Sequence, residues 1–425
     1  MSRYSIPARE ELLARFDAAN RYAIAWLLLE LLAMAALGAG IDWPRVADQP
    51  LITTVAIAAV VGPFAMSLLH GFAEKKVEVR NLKESTRFGS YNKDKLRELF
   101  RDTLFRLGLP DEDLPLYITA DRTLNAGARY LGLGSLFRSL QGVFLNRQIL
   151  HRLDPDETQT ILGHELGHYY RYMLASERFH IVTLLLGGML GVFVSQYIRL
   201  PFALGMLAVF LVPEAFWWAT SRLWARNAML VEFLCDDHGA RVHGVTASIN
   251  TLLKIGADSE MLFALQEQEL LNPRYEQLSA IEIARAVEES IPYGDADPQA
   301  LEEAIRQSLK NRAKANREIT VGGFLNYAWT GGEEGDLDEL REQSEALKSL
   351  RRLDWESLRD PRTRRLDEAG IERLVAMLDE NPDALLFRSP EEAGHGDGIH
   401  PPLPARILYL WENRHAIDQA RRETA

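Results

Sequence analysis

The 425-residue chain holds one cysteine, Cys235. That excludes an internal disulfide framework and any Cys-rich zinc centre, so a metal here would have to be held by histidine and carboxylate. Basic residues are also in short supply: 48 Lys and Arg stand against 60 Asp and Glu, a formal net charge of −12. There is no basic stripe interleaved with aromatics, and this balance argues against nucleic acid as a partner. No internal repeat is evident.

Long apolar runs are present. The first, Tyr22 to Ile41, is about long enough to span a bilayer, contains Glu30, and follows Arg3, Arg9, Arg15 and Arg21. A cleaved signal peptide would have a shorter apolar core with a small-residue cleavage site near its end, so an uncleaved membrane helix is expected. A second run, Leu51 to Leu69, contains Gly62-Pro63, where a kink is expected, and pairs with the first as a hairpin. Only Arg45 lies in the turn, whereas Lys75, Lys76, Arg80 and Lys83 follow, so both ends of the hairpin are expected to face the cytoplasm. Two further runs, Ile181 to Ile198 and Phe202 to Ala219, are joined by Arg199-Leu200-Pro201 and lie near the lower limit for a span. Their flanks repeat the asymmetry with Arg171 and Arg178 before and Arg222 and Arg226 after. A buried helix pair in a soluble core is the competing reading.

Between the hairpins, Leu96, Leu99, Phe100, Leu104 and Leu107 have helical spacing within residues 87–109, and Gly108 and Pro110 end that pattern. Leu116–Thr119 and Gly142–Leu145 read as short strands of a small sheet. Asp154-Pro155-Asp156-Glu157 then gives a helix start. That helix carries His164-Glu165-Leu166-Gly167-His168. Two histidines four apart project from one helix face and can share a metal ion, while the intervening glutamate reaches a water activated there.

Zinc in a hydrolase needs three protein ligands and an open position. A metzincin would continue with Gly and His, but Arg171 and Leu174 occupy those positions. The third ligand is therefore sought as a carboxylate on a second helix. Glu232 and Asp236 share a face there, with Glu177, Glu214, Asp237 and His238 as rivals and an ordinary solvated acidic face as the alternative.

The chain resembles the membrane-bound zinc metallopeptidases that include the HtpX heat-shock protease and the type I CAAX prenyl proteases. The resemblance rests on the ordered series of N-terminal hairpin, Asn125-Ala126, His164 to His168, second hairpin, Glu232-x-x-x-Asp236, and His400-Pro401-Pro402 with Arg406. It implies one Zn2+ per chain held by His164, His168 and Glu232, with Asp236 supporting a ligand. It also implies that Asn125, on an edge strand, and His400 contact substrate or stabilise the oxyanion. Two departures stand out: Gly127 replaces a usual aromatic, and Cys235 replaces a usual alanine, where a small buried and inert residue is expected.

The expected fold is mainly α with a small β-sheet, an α+β gluzincin-like catalytic core in an integral membrane protein with four transmembrane helices in two hairpins. The expected parts are a transmembrane hairpin at 1–80, the first half of the core at 81–178, a second hairpin at 179–221, the second half at 222–258, an acidic helical insertion at 259–399 that could cap the cleft, and a C-terminal core helix at 400–425. His395-x-Asp397-x-x-His400 reads as Gly-rich loop rather than a second metal site.

The resemblance implies an endopeptidase acting on misfolded or membrane polypeptides, with Glu165 as general base and then proton donor. Its partners would be polypeptide substrate and lipid bilayer, and its place the bacterial plasma membrane with the catalytic side in the cytoplasm. A prenyl-peptide endoprotease is the near alternative; four candidate spans rather than seven favour quality control. A catalytically silent scaffold and a transporter are the alternatives of other classes, the latter suggested by Glu30 and Glu214. Neither substrate nor oligomeric state follows from sequence.

Overall fold

The first apolar run folds as one helix, α1 (Arg9–Gly40), and the second as α2 (Pro50–Ala73), joined by a short helical turn that Asp42 caps through the Arg45 N–H. α2 continues without a break through Gly62-Pro63. The computed structural model describes residues 4–110, 114–120, 124–129, 137–178, 180–198, 201–271, 345–389, 392 and 400–424. Strand β1 (Lys76–Glu78) follows, then α3 (Lys93–Arg106), which starts later than the hydrophobic spacing suggests because Asn92 accepts from the Lys95 N–H at 2.8 Å and fixes the N-terminus there. Next come β2 (Leu116–Thr119), β3 (Ala126–Arg129) and β4 (Gly142–Asn146).

The four strands form one sheet in the order β1-β2-β4-β3. β2 and β4 pair in parallel at the centre, with Leu116 opposite Val143, and both are buried along their length. β1 and β3 add antiparallel at the edges, and β3 sets Gly127 opposite Phe144. Against the sheet edge lies α4 (Pro155–Tyr170), which packs across β3 and β4. Its start is a capping box: Asp154 caps the first turn and the Asp154 N–H donates to Glu157 Oε2 at 3.0 Å.

The remaining apolar runs are α5 (His180–Tyr197) and α6 (Phe202–His243). α5 packs closely on α6 where Gly187 meets Pro213 and Gly191 meets Val209; a Cβ at Gly187 would stand 2.7 Å from the Pro213 Cα. Ile41, Ile52, Val192 and Val209 join α1, α2, α5 and α6 in one apolar cluster. α1 and the Phe202–Trp224 part of α6 are long and apolar enough to cross a membrane, whereas Pro50–Gly62 and Ile181–Tyr197 are shorter apolar helices. Leu28, Leu32, Leu204 and Leu207 stand exposed on this bundle. Such a patch of unburied apolar side chains is what a lipid-facing surface presents.

α6 ends at Gly244, whose φ of 95° belongs to the left-handed region, and α7 (Val245–Leu271) starts there. α8 (Glu368–Glu380), α9 (Leu403–Glu412) and α10 (Arg414–Thr424) complete the described helices named here.

The chain divides into two compact units. One comprises Ile6–Ser248, Gly398–Pro401 and Leu408–Ala425, and contains the apolar helices and the sheet. The other comprises Met1–Ser5, Ile249–Asp397 and Pro402–Ile407. Within it Phe263, Leu347 and Leu385 pack together, Arg352 pairs with Glu260 at 2.8 Å and with Glu356, and the Asn250 side chain bonds both the N–H and C=O of Leu366. Most of the acidic insertion expected at 259–399 lies outside the described residues, as do His395 and Asp397.

Candidate metal centre

The site is built where α4 crosses α6 at very short range. A Cβ on Gly163 would stand 3.0 Å from the Gly239 Cα, one on Gly239 would meet the Thr160 carbonyl oxygen at 2.6 Å, and one on Gly167 would lie 3.3 Å from the Cys235 Cα. Gly163 and Gly167 on one helix thus face Cys235 and Gly239 on the other, each pair four residues apart. Small residues at that spacing let two backbones nearly touch. Cys235 is completely buried in the crossing, and burial pushes its thiol up to about 12, so it stays protonated at neutral pH. The small, inert residue expected at this position is what the packing needs. The His238 side chain seals the crossing, with Nδ1 2.9 Å from the Gly163 carbonyl oxygen. Its burial drives the imidazole down to about 3, so it is neutral at ordinary pH.

This close approach carries Glu232 to the histidines of α4. His164 Nε2 and His168 Nε2 lie 3.2 Å apart; Glu232 Oε1 is 3.3 Å from His168 Nε2, and Oε2 is 3.6 Å from His164 Nε2. Ligand bonds of about 2.0–2.1 Å in tetrahedral geometry give ligand-to-ligand edges of about 3.3–3.4 Å. With one Glu232 oxygen beside each imidazole, the three side chains can converge on one ion, and three protein ligands would leave a zinc its fourth position. Among the described residues, these three are the group of His, Cys, Asp and Glu close enough to hold one ion, their ligand atoms all lying within 4.8 Å of one another. Glu232 is buried. For His168, burial opposes the proton, and the neighbouring Cys235, Glu232 and Glu165 raise its pKa.

Asp236 and the rival carboxylates take distinct places. Asp236 Oδ1 lies 2.9 Å from His164 Nδ1, which leaves Nε2 for the cluster. Asp237 is not in the cluster: fully buried, it accepts from Arg241 of the same helix at 2.5 Å and from Arg9 of α1 at 2.5 Å. His238 turns to Gly163, and Glu177 is exposed on a short helix after α4. Glu165 is buried on α4 within electrostatic reach of His168.

The two residues expected at the substrate lie at different ranges. His400 Nε2 stands 3.9 Å from Glu232 Oε1, with its side chain 57% exposed, so it sits at the rim of the cluster. Asn125 lies one residue ahead of the edge strand β3; its backbone carbonyl accepts from the Asn146 N–H at 3.1 Å and its Oδ1 from the Ala126 N–H at 2.8 Å. β3 pairs with β4 along one side and stands at the end of the sheet order. Arg9 was noticed in the sequence only as a membrane-flanking charge, and its salt bridge to Asp237 had no local signal.

Residues 90–243 match the model described as Peptidase family M48. Comparison with curated proteins gave no match, nor did comparison with solved structures. The matched segment runs from just before α3 to the end of α6 and holds all three candidate ligands, Glu165 and Asp236.

Proposed function

We propose, from the match of residues 90–243 to the model of Peptidase family M48, the family of the HtpX and CAAX prenyl protease metallopeptidases, that this protein is a membrane-anchored zinc endopeptidase of the HtpX type. The observation that carries the reading is the convergence of His164, His168 and Glu232, with ligand atoms within 4.8 Å of one another, inside the matched segment. Zinc, when bound there, supplies Lewis acidity toward water and the scissile carbonyl. Glu165 takes the proton from the attacking water and returns it to the leaving amine. Asp236 holds His164 in the tautomer whose Nε2 is free to ligate.

An extended substrate adds to the outer edge of β3, its backbone bonding to the strand ahead of which Asn125 sits. His400 at the rim donates to the developing oxyanion. α1, α2, α5 and α6 form two hairpins in the bacterial plasma membrane, with α5 and α2 completing spans that their length alone does not establish. The excess of Arg and Lys outside the hairpin turns supports a catalytic side in the cytoplasm. Substrates are then damaged or misassembled polypeptides reached at the membrane surface.

The test is zinc content together with casein-type proteolysis for the full-length wild type, Glu165→Gln and Glu232→Ala. Glu165→Gln is expected to keep its zinc and lose cleavage; Glu232→Ala is expected to lose both. Full zinc in Glu232→Ala would remove that ligand, and near-normal turnover in Glu165→Gln would remove the mechanism.

A further inference from the structure

Inside the apolar bundle, Trp26 and Glu30 of α1, Thr183 of α5, and Trp217, Ser221 and Trp224 of α6 line a cavity of ≈ 40 Å³. Glu30 is 2% exposed although it sits in the middle of an apolar run. Trp26 Nε1 and Thr183 Oγ1 both donate to Glu30 Oε1 at 2.8 Å. Among the described residues, Oε2 takes no hydrogen bond and no Lys, Arg or His lines the cavity. A buried carboxylate with one oxygen fixed calls for a cation at the other, and none stands there among the described residues.

The surroundings define the missing cation. Three indoles line the space, and indole is the strongest aromatic partner for a positive charge. Ser176 and Ser221 are also in the lining, and a serine hydroxyl can accept a hydrogen bond. A cation that carries N–H donors can bond both the second Glu30 oxygen and the serines, which a primary ammonium does and a trimethylammonium cannot. Arg222, next to Ser221, is exposed with its guanidinium 4.4 Å from the Trp218 ring and no salt bridge among the described residues. A cation outside the cavity and an anion within it complement a zwitterion of the opposite order.

We propose that this cavity is a lipid site that takes the primary ammonium of a phospholipid headgroup on Glu30, with the phosphate toward Arg222. The proposal rests on α1 and α6 lying in a bilayer, and is independent of the zinc chemistry. It is tested on the full-length protein in nanodiscs of equimolar phosphatidylethanolamine and phosphatidylcholine of matched chains, with retained lipid read by native mass spectrometry and zinc content measured on the same samples. Wild type is expected to retain phosphatidylethanolamine over phosphatidylcholine by about tenfold, and Glu30→Gln to lose the preference. Ser221→Ala and Arg222→Gln, which leave the Glu30 anchor in place, are expected to weaken retention and so keep the test open if Glu30→Gln fails to fold. Soluble methylammonium is expected to quench tryptophan fluorescence saturably in wild type, and tetramethylammonium is not. Equal retention of the two lipids would overturn the proposal. Methylammonium binding without lipid preference would overturn the lipid assignment and point to a polypeptide amine. Lost proteolysis with intact lipid preference would count against the peptidase reading alone.

Discussion

His164 Nδ1 lies 2.9 Å from Asp236 Oδ1, so one carboxylate on α6 fixes the orientation of an imidazole on α4. The ring cannot rotate without giving up that bond, and its Nε2 stays 3.2 Å from that of His168. Removing Asp236 leaves the three donors in place but frees one of them. Asp236→Ala is therefore expected to weaken zinc affinity by about 10–100-fold while retaining the fold. Competitive titration against a chelator checks this, and an unchanged zinc affinity would separate Asp236 from the centre.

The crossing of α4 and α6 leaves no room for one more carbon. A methyl group on Gly239 would face the Thr160 carbonyl oxygen at 2.6 Å and the His164 backbone nitrogen at 3.2 Å, and neither can move without shifting a helix. Gly239→Ala is expected to cost about 1–3 kcal/mol by overpacking and to reduce zinc content, because the shift separates Glu232 from the histidines. Denaturant unfolding and metal analysis of the same preparation read both effects. Gly127→Ala is the control: nothing lies within 4 Å of where its Cβ would stand.

The candidate pair His164 and His168 was legible because residues four apart share one helix face, and periodicity of 3.6 needs no tertiary information. Glu232 was not separable from Asp237, Glu177 and Glu214 by spacing, since what selects it is the register of α6 against α4. The small-residue pairs Gly163 with Gly167 and Cys235 with Gly239 are visible in the sequence, but their facing each other is not. The capping box at Asp154 was legible for the same local reason that the break at Gly244 was not: a cap is written in residue types, whereas a φ of 95° at one glycine among many is set by how the chain must turn. β1, three residues long, has too little pattern to stand out, and it forms because β2 offers an edge to pair with. The pairing of Arg9 with Asp237 joins residues 228 apart, beyond any local rule.

That pair carries a prediction of its own. Asp237 is fully buried between Arg9 and Arg241, whose side chains are 16% and 7% exposed. Asp237→Asn would leave two guanidinium groups facing a neutral amide, and is expected to destabilise the protein by about 3–5 kcal/mol. Arg9→Ala should cost less, because Arg241 remains to neutralise the carboxylate. Thermal unfolding of the two variants and of the double variant measures the coupling, and a cost for Arg9→Ala as large as that for Asp237→Asn would show that Arg241 does not compensate.

His238 makes stability depend on pH in a defined direction. Its imidazole is 1% exposed, is bonded to the Gly163 carbonyl, and is driven by burial from 6.5 down to about 3. The unfolded chain takes up a proton near pH 6.5, whereas the folded chain resists it until about pH 3. Between those values the unfolded state binds more protons, so the contribution is fully present above pH 6.5 and is lost as the pH falls through this window. At about 1.4 kcal/mol per pH unit for one such group, roughly 4 kcal/mol is withdrawn by the lower end of the window. The unfolding free energy of the wild type, compared at pH 7, 5.5 and 4 with that of His238→Gln, should show a steeper decline in the wild type by up to one proton's worth of slope. Parallel pH profiles for the two proteins would mean that His238 is already protonated where it lies against α4.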